Sequence, residues 1–211
     1  MTESRGGHRL VLGLFVGATL LAGFAFGAWQ MRTKTPPAPS MTVLDTATIL
    51  PSPVALPEFR LHDDAGEAFG PERLRGNWSL LFFGFANCGH VCPMTLGKLT
   101  DVASQLDSAP RIVFLSVDPG RDTPEVLRRY VEGFGGDMVG ISGDDAEIRA
   151  LATALGVMYS VQPDPEGYVV EHSQAVFVLD PEGRYTAVIS SVDDPVGIAR
   201  DLEEIFREAG A

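Results

Sequence analysis

The chain has 211 residues, 45% of them hydrophobic and 21% charged, and a formal net charge of −12 at pH 7. This composition supports a hydrophobic core and excludes a wholly disordered chain, a collagen or a disulfide-dense miniprotein, since two cysteines cannot staple a fold. With 28 carboxylates against 16 cations and only Lys34 and Lys98 as lysines, it lacks the clustered positive charge that nucleic-acid binding requires.

From Leu10 to Trp29 runs LVLGLFVGATLLAGFAFGAW, without a charge, flanked by Arg5 and Arg9 on one side and Arg32 and Lys34 on the other. A helix of that length spans a hydrocarbon core about 30 Å thick, and the run is longer than the apolar part of a cleaved signal peptide. The expectation is a single-pass transmembrane anchor at 10–29, a short cytoplasmic tail at 1–9, and a C-terminal domain outside the cytoplasm. Gly13, Gly17, Gly23 and Gly27 share one face of this helix, which would let a second copy pack against it as a homodimer. Residues 30–56, with Pro36, Pro37, Pro39, Pro51 and Pro53, read as a Pro-rich linker holding the domain off the membrane. Residues 1–34 hold four cations but only one carboxylate, Glu3, which leaves the rest of the chain at −15.

Residues 57–211 then alternate short apolar runs with amphipathic stretches. FRLH and EAF about Gly66 predict a small hairpin, and Trp78 to Phe85, WSLLFFGF, a buried central strand. A helix from Pro93 to Leu106 follows, then a strand at 111–117, a helix from Pro124 capped by Asp122 or Thr123, the strand MVGIS, and a helix near Asp144 to Leu155. SQAVFVLD, a turn at Pro181-Glu182-Gly183, RYTAVIS and a helix from Pro195 to Ala209 complete the series. This order implies an α/β fold with a central mixed sheet covered on both faces.

The chemistry concentrates in GFANCGHVCPMTL, where Cys88 and Cys92 lie between a strand end and a helix start. Free amides and the helix dipole favour thiolate there, so the expectation is two exposed thiolates side by side. Such a pair either closes a disulfide or, when reduced, holds a soft metal such as Cu(I). His90 lies inside the loop, placed equally to bind a metal or to face water. His172, at the entrance to an apolar strand, reads as an edge residue or as a ligand. Met94 is expected to face the core. No phosphate-loop or nucleophile-elbow motif occurs in the chain.

Three ordered segments, GFANCGHVCP, FLSVDPGRDTPEVLRRYVEGF and EHSQAVFVLDPEG, resemble those of the Sco/SenC family of membrane-anchored, thioredoxin-like proteins of cytochrome c oxidase assembly. The resemblance covers about Pro57 to Ala209. It implies a thioredoxin-like three-layer fold with an N-terminal β-hairpin, and a copper site made of Cys88, Cys92 and His172. Asp118 and Asp122 match the family's two aspartates and, with His90, are auxiliary candidates. Gly89 and His90 depart from the family's loop, where proline and then an acidic residue are usual. This change alters thiol acidity and makes a Cys₂His₂ set for Zn(II) conceivable.

Two functions follow from the resemblance. One is a copper chaperone binding Cu(I) and Cu(II) for the dinuclear copper centre of cytochrome c oxidase subunit II, served by another copper chaperone or a thiol reductase. The other is a thiol-disulfide oxidoreductase using Cys88 and Cys92 as its redox dithiol on that subunit or another envelope protein. Lacking an Arg-rich, acid-poor transit segment, the chain is expected in a bacterial inner membrane with its domain in the periplasm.

Overall fold

The computed structural model describes residues 40–164 and 167–209, together with Gly23 and Phe26. The chain divides into two units, Met1–Ser40 and Met41–Ala211. The expected tail, anchor and glycine face belong to the first and, apart from Gly23 and Phe26, lie outside the described residues. Among the described residues no helix is long and apolar enough to cross a membrane.

The second unit is built on nine strands: β1 (Thr42–Val43), β2 (Ala47–Ala55), β3 (Leu61–Asp63), β4 (Ala68–Phe69), β5 (Ser79–Gly84), β6 (Arg111–Ser116), β7 (Met138–Gly143), β10 (Val176–Leu179) and β11 (Arg184–Ile189). Their order is β1-β2-β11-β10-β5-β6-β7-β3-β4. β5, β6 and β7 run parallel and all other neighbours antiparallel, giving the expected mixed sheet. Two further strands, β8 (Tyr159–Asp164) and β9 (Gly167–His172), form a separate hairpin. The helices are α1 (Val91–Gln105), α2 (Pro124–Glu132), α3 (Asp145–Ala154) and α4 (Pro195–Ala209).

Side-chain alternation along the central strands makes two cores. Leu80, Phe82, Ile112 and Phe114 face one side with Leu96 and Leu99 of α1, Leu127 of α2, and Ile198 and Leu202 of α4. Leu81, Phe83, Val113 and Leu115 face the other with Ile148 and Leu151 of α3. Every residue of β5 is buried, as a strand covered on both faces requires. Thr123, not Asp122, caps α2, its hydroxyl accepting from Val126 N at 3.4 Å, which leaves Asp122 for another task.

One expectation is corrected. The stretch read as linker through residue 56 contains β1 and β2, and β2 pairs with β11 over Ala47–Ile49 and Val54–Ala55. Both prolines fall in the gap between these registers, opposite an irregularity between Tyr185 and Ala187, where no ladder hydrogen bond is demanded of them. The segment is pinned by Asp201 of α4, whose buried Oδ2 accepts from Thr46 N (2.7 Å), Thr46 Oγ1 (2.8 Å) and Ala47 N (3.1 Å).

Asp201→Ala is expected to lower stability by about 3 kcal/mol, because it removes the acceptor of the Thr46 and Ala47 amides and the Thr46 hydroxyl, and Asp201→Asn by less. Urea denaturation of the full chain measures both. Equal stability of Asp201→Ala and wild type would show that this carboxylate adds nothing to the hold on β2.

Candidate metal centre

β5 ends at Gly84, and the next eight residues carry both cysteines into the first turn of α1. Cys88 N donates to Phe85 O at 3.1 Å, turning the chain back, and Cys92 N donates to the Cys88 sulfur at 3.4 Å. The Cys88 sulfur thereby occupies the place of a capping oxygen and takes up amides that a helix N-terminus leaves unpaired. No disulfide joins the two residues.

The two thiols have opposite character. At Cys88 partial burial works against ionisation, but hydrogen bonds from the Cys92 amide and thiol and from the His90 and Val91 amides outweigh it and hold the thiol below its ordinary value. At Cys92 burial dominates and drives the thiol far above its ordinary value; the neighbouring Cys88 and Asp122 push the same way, against an opposing hydrogen bond at Phe85. The expected pair of exposed thiolates is therefore corrected: Cys88 is half-buried and acidic, whereas Cys92 is fully buried and protonated.

Gly84 is what admits the Cys92 sulfur. A Cβ on Gly84 would lie 2.7 Å from the Phe114 ring and 3.0 Å from Cys92 Sγ, closer than side chains pack. Nothing in the sequence singled it out.

Both aspartates expected as auxiliaries prove to be buried supports. Asp122 Oδ2 accepts from Ser116 Oγ at 2.5 Å and from Ala86 N at 2.8 Å, joining the end of β6 to the base of the cysteine loop. Burial raises its pKa, Asp118 adds to the rise, and these hydrogen bonds oppose it. Asp118 accepts from Tyr168 Oη at 2.6 Å and from Arg121 Nε. Arg121 also donates through Nη1 to Tyr168 O at 3.3 Å, and its guanidinium lies 3.9 Å from the Tyr168 ring centroid and 5.9 Å from that of Phe85. Tyr168 belongs to β9, so this cluster ties the hairpin that ends in His172 to the loop region beneath Cys88. Arg121 stood in a quoted segment without a role, and Tyr168 carried no signal, because its partners lie some 50 residues away.

His172 closes β9 opposite Tyr159, instead of leading directly into the strand that follows, and its side chain lies outside those described. His90 occupies the N-cap position of α1 and is exposed, without a capping hydrogen bond from its side chain. Met94, expected in the core, is 48% exposed. Among the described residues no group of three or more His, Cys, Asp or Glu side chains is arranged to hold a metal; the two cysteines supply soft sulfur donors, which suit Cu(I).

The acidity difference predicts that, in the reduced metal-free chain, iodoacetamide labels Cys88 first, with a pH dependence shifted to lower pH than that of an ordinary thiol. Cys92→Ser is expected to keep this fast reaction and Cys88→Ser to react at least about tenfold more slowly. Mass spectrometry of the labelled peptides reads the order, and first labelling at Cys92 would overturn it.

The model of the SCO1/SenC family matches residues 50–207, a span that contains Cys88, Cys92, Asp118, Asp122 and His172. Over 135 residues the chain is 36% identical to an SCO2-like protein of Rickettsia prowazekii, a match covering 60% of this chain and 65% of that one. The chain thus matches slightly less than two thirds of that relative's length. Among solved structures, copper-bound ScoI of Arabidopsis thaliana is similar with a TM-score of 0.69 at 28% identity, covering 74% of this chain and 99% of that one. Copper-bound yeast Sco1 is similar with a TM-score of 0.66 at 30% identity, covering 72% and 88%. With a family match over most of its length and the thioredoxin-like mixed sheet of these structures, the chain belongs to the SCO1/SenC family.

Proposed function

We propose that the protein is a copper chaperone in which Cys88 and Cys92 bind Cu(I) and His172 joins them for Cu(II), and that it serves the dinuclear copper centre of cytochrome c oxidase subunit II. The observation that carries this reading is the pair of unlinked thiols at the head of α1, in a chain of a family whose solved members include copper-bound forms. A softer ion is satisfied by the sulfurs alone, whereas Cu(II) gains from an imidazole nitrogen. The tie from Arg121 and Asp118 to Tyr168 gives the hairpin a fixed attachment four residues before His172. Copper is cargo here, and its source is another copper chaperone.

The reading includes an anchor at 10–29 in a bacterial inner membrane, with the domain in the periplasm. Homodimer formation through the glycine face of that anchor belongs to the same proposal.

A second reading, a membrane-tethered thiol-disulfide oxidoreductase acting on the cysteines of that subunit or another envelope protein, is favoured by the unequal setting of the two sulfurs, one half-buried and accepting from the Cys92 amide, the other fully buried. An acidic Cys88 beside a protonated Cys92 is the division of labour that disulfide exchange needs: one thiolate attacks, and the other thiol later resolves the mixed disulfide.

Anaerobic titration of the reduced full chain with Cu(I) and with Cu(II) separates the readings. Wild type is expected to bind one equivalent of each, and Cys88→Ser/Cys92→Ser to bind neither tightly. His172→Ala should weaken Cu(II) far more than Cu(I). Tyr168→Phe, acting only by loosening the hairpin, should weaken Cu(II) by about tenfold with little effect on Cu(I). Copper binding indifferent to the cysteines, with disulfide reduction intact, would leave the oxidoreductase.

A further inference from the structure

Among the described residues the β8–β9 hairpin shares no ladder with the nine-stranded sheet. A two-stranded ribbon alone is only marginally stable in water, so side-chain ties to the rest of the domain must set its position. Two such ties have the same chemistry, one on each strand. On β9, Tyr168 Oη donates to Asp118 Oδ1 at 2.6 Å, and the Arg121 guanidinium lies 3.9 Å from the ring centroid. On β8, Tyr159 Oη donates to Asp145 Oδ1 at 2.9 Å, and the Arg149 guanidinium lies 4.7 Å from the ring centroid. Arg149 Nε completes this second set by donating to Asp145 Oδ2 at 2.6 Å, one turn along α3.

The two ties differ in place and in burial. Tyr168 stands four residues before His172, and its carboxylate partner is 3% exposed. Tyr159 is the residue paired with His172 across the ribbon, and the side chains of its partners Asp145 and Arg149 are each 51% exposed. Beside that pair Ser173 N donates to Met158 O at 3.2 Å, so the backbone at His172 follows the backbone at Tyr159 where the chain leaves the ribbon. Tyr159 is bonded in turn to the first turn of α3, whose Ile148 and Leu151 are buried in one core cluster with Leu81 and Phe83. A contiguous path thus runs from that core through Asp145 and the Tyr159 hydroxyl to the backbone of His172. Its exposed, solvent-screened link is weaker than the buried one at Asp118.

We propose that Tyr159, Asp145 and Arg149 form a latch on the His172 end of the hairpin, with the buried Tyr168 tie as its pivot, so that Tyr159 is a positioning residue for Cu(II) and not for Cu(I). The inference rests on the copper reading above, with Cys88, Cys92 and His172 as ligands. Two sulfurs satisfy Cu(I) wherever the hairpin stands, whereas the nitrogen that Cu(II) gains arrives only with the hairpin in place.

The test uses the reduced full chain in a neutral detergent under anaerobic conditions. Dissociation constants for Cu(II) and Cu(I), each measured against a competing chelator, are read as their ratio. Tyr159→Phe, which deletes only the hydroxyl, is expected to raise the Cu(II)-to-Cu(I) ratio about threefold to tenfold, and Asp145→Ala to do the same. Asp145→Asn keeps an oxygen that accepts from the phenol and should stay nearer wild type. Coupling to His172 separates positioning from a loss of stability: in a His172→Ala background, Tyr159→Phe should leave the ratio unchanged. Asp201→Ala, which loosens β2 instead, should lower stability without moving the ratio. Hydrogen exchange of the metal-free chain reads the latch without copper, and the amides of 168–173 should exchange faster in Tyr159→Phe than in wild type.

Unchanged exchange would overturn the latch, as would a ratio shift in Tyr159→Phe that persists without His172. A ratio that responds to His172→Ala but not to Tyr159→Phe would overturn the latch and leave the copper reading standing. A ratio that His172→Ala leaves at the wild-type value would overturn His172 as a ligand, and the latch's bearing on copper with it.

Discussion

One carboxylate oxygen holds the functional end of this sheet together. β5 and β6 run parallel, so both deliver their C-terminal ends to the same edge, where the ladder stops and polar backbone must find other partners. Val117 N reaches Gly84 O at 2.8 Å, and beyond it Asp122 Oδ2 takes both Ser116 Oγ and Ala86 N. The cysteine loop starts from that clamp. Asp118, one turn earlier in the chain, holds Arg121 and Tyr168 and so anchors the β8–β9 hairpin. Two buried carboxylates from a single loop thus fix two segments far apart in sequence, and the burial that makes each costly is offset by the hydrogen bonds each accepts.

The acidity of Cys88 has its origin in backbone geometry. The amides of His90, Val91 and Cys92 lie at the helix head, and they converge on the sulfur whatever side chains the loop carries. Glycine and histidine at positions 89 and 90 are compatible with this, since no side-chain charge in the loop is required to favour the thiolate. The exposed His90 at the N-cap remains available to solvent or to a partner.

Much of the fold was legible because its central strands are continuous apolar runs and its helices begin at recognisable caps, such as Thr123 and Asp144. What escaped has physical reasons. Pro51 and Pro53 made β2 look like tether, and only the register shift opposite them shows how an edge region tolerates both. The β8–β9 hairpin contains Pro163 and lacks clean alternation, so the segment before His172 gave no strand signal. Met94 was assigned inward by composition, whereas the helix begins at Val91 and turns Cys92 and Leu96 to the core instead. The cysteine pair was visible as a motif, but the inequality of its members depends on burial, and Arg121, Tyr168 and Gly84 gain meaning only from contacts across the fold.

That inequality orders the steps of either proposed function. Cys92 is packed in the same core cluster as Phe82 and Phe114, in space that exists because Gly84 has no side chain. Its sulfur meets a reactant only if the first turn of α1 shifts or if the reactant is already held at Cys88. In either of the functions proposed above, the half-buried Cys88 is the point of entry and Cys92 the second sulfur, drawn from the core once the first bond has formed. Such an arrangement leaves Cys92 a poor nucleophile, protonated and held by packing, until a bond formed at Cys88 changes its surroundings.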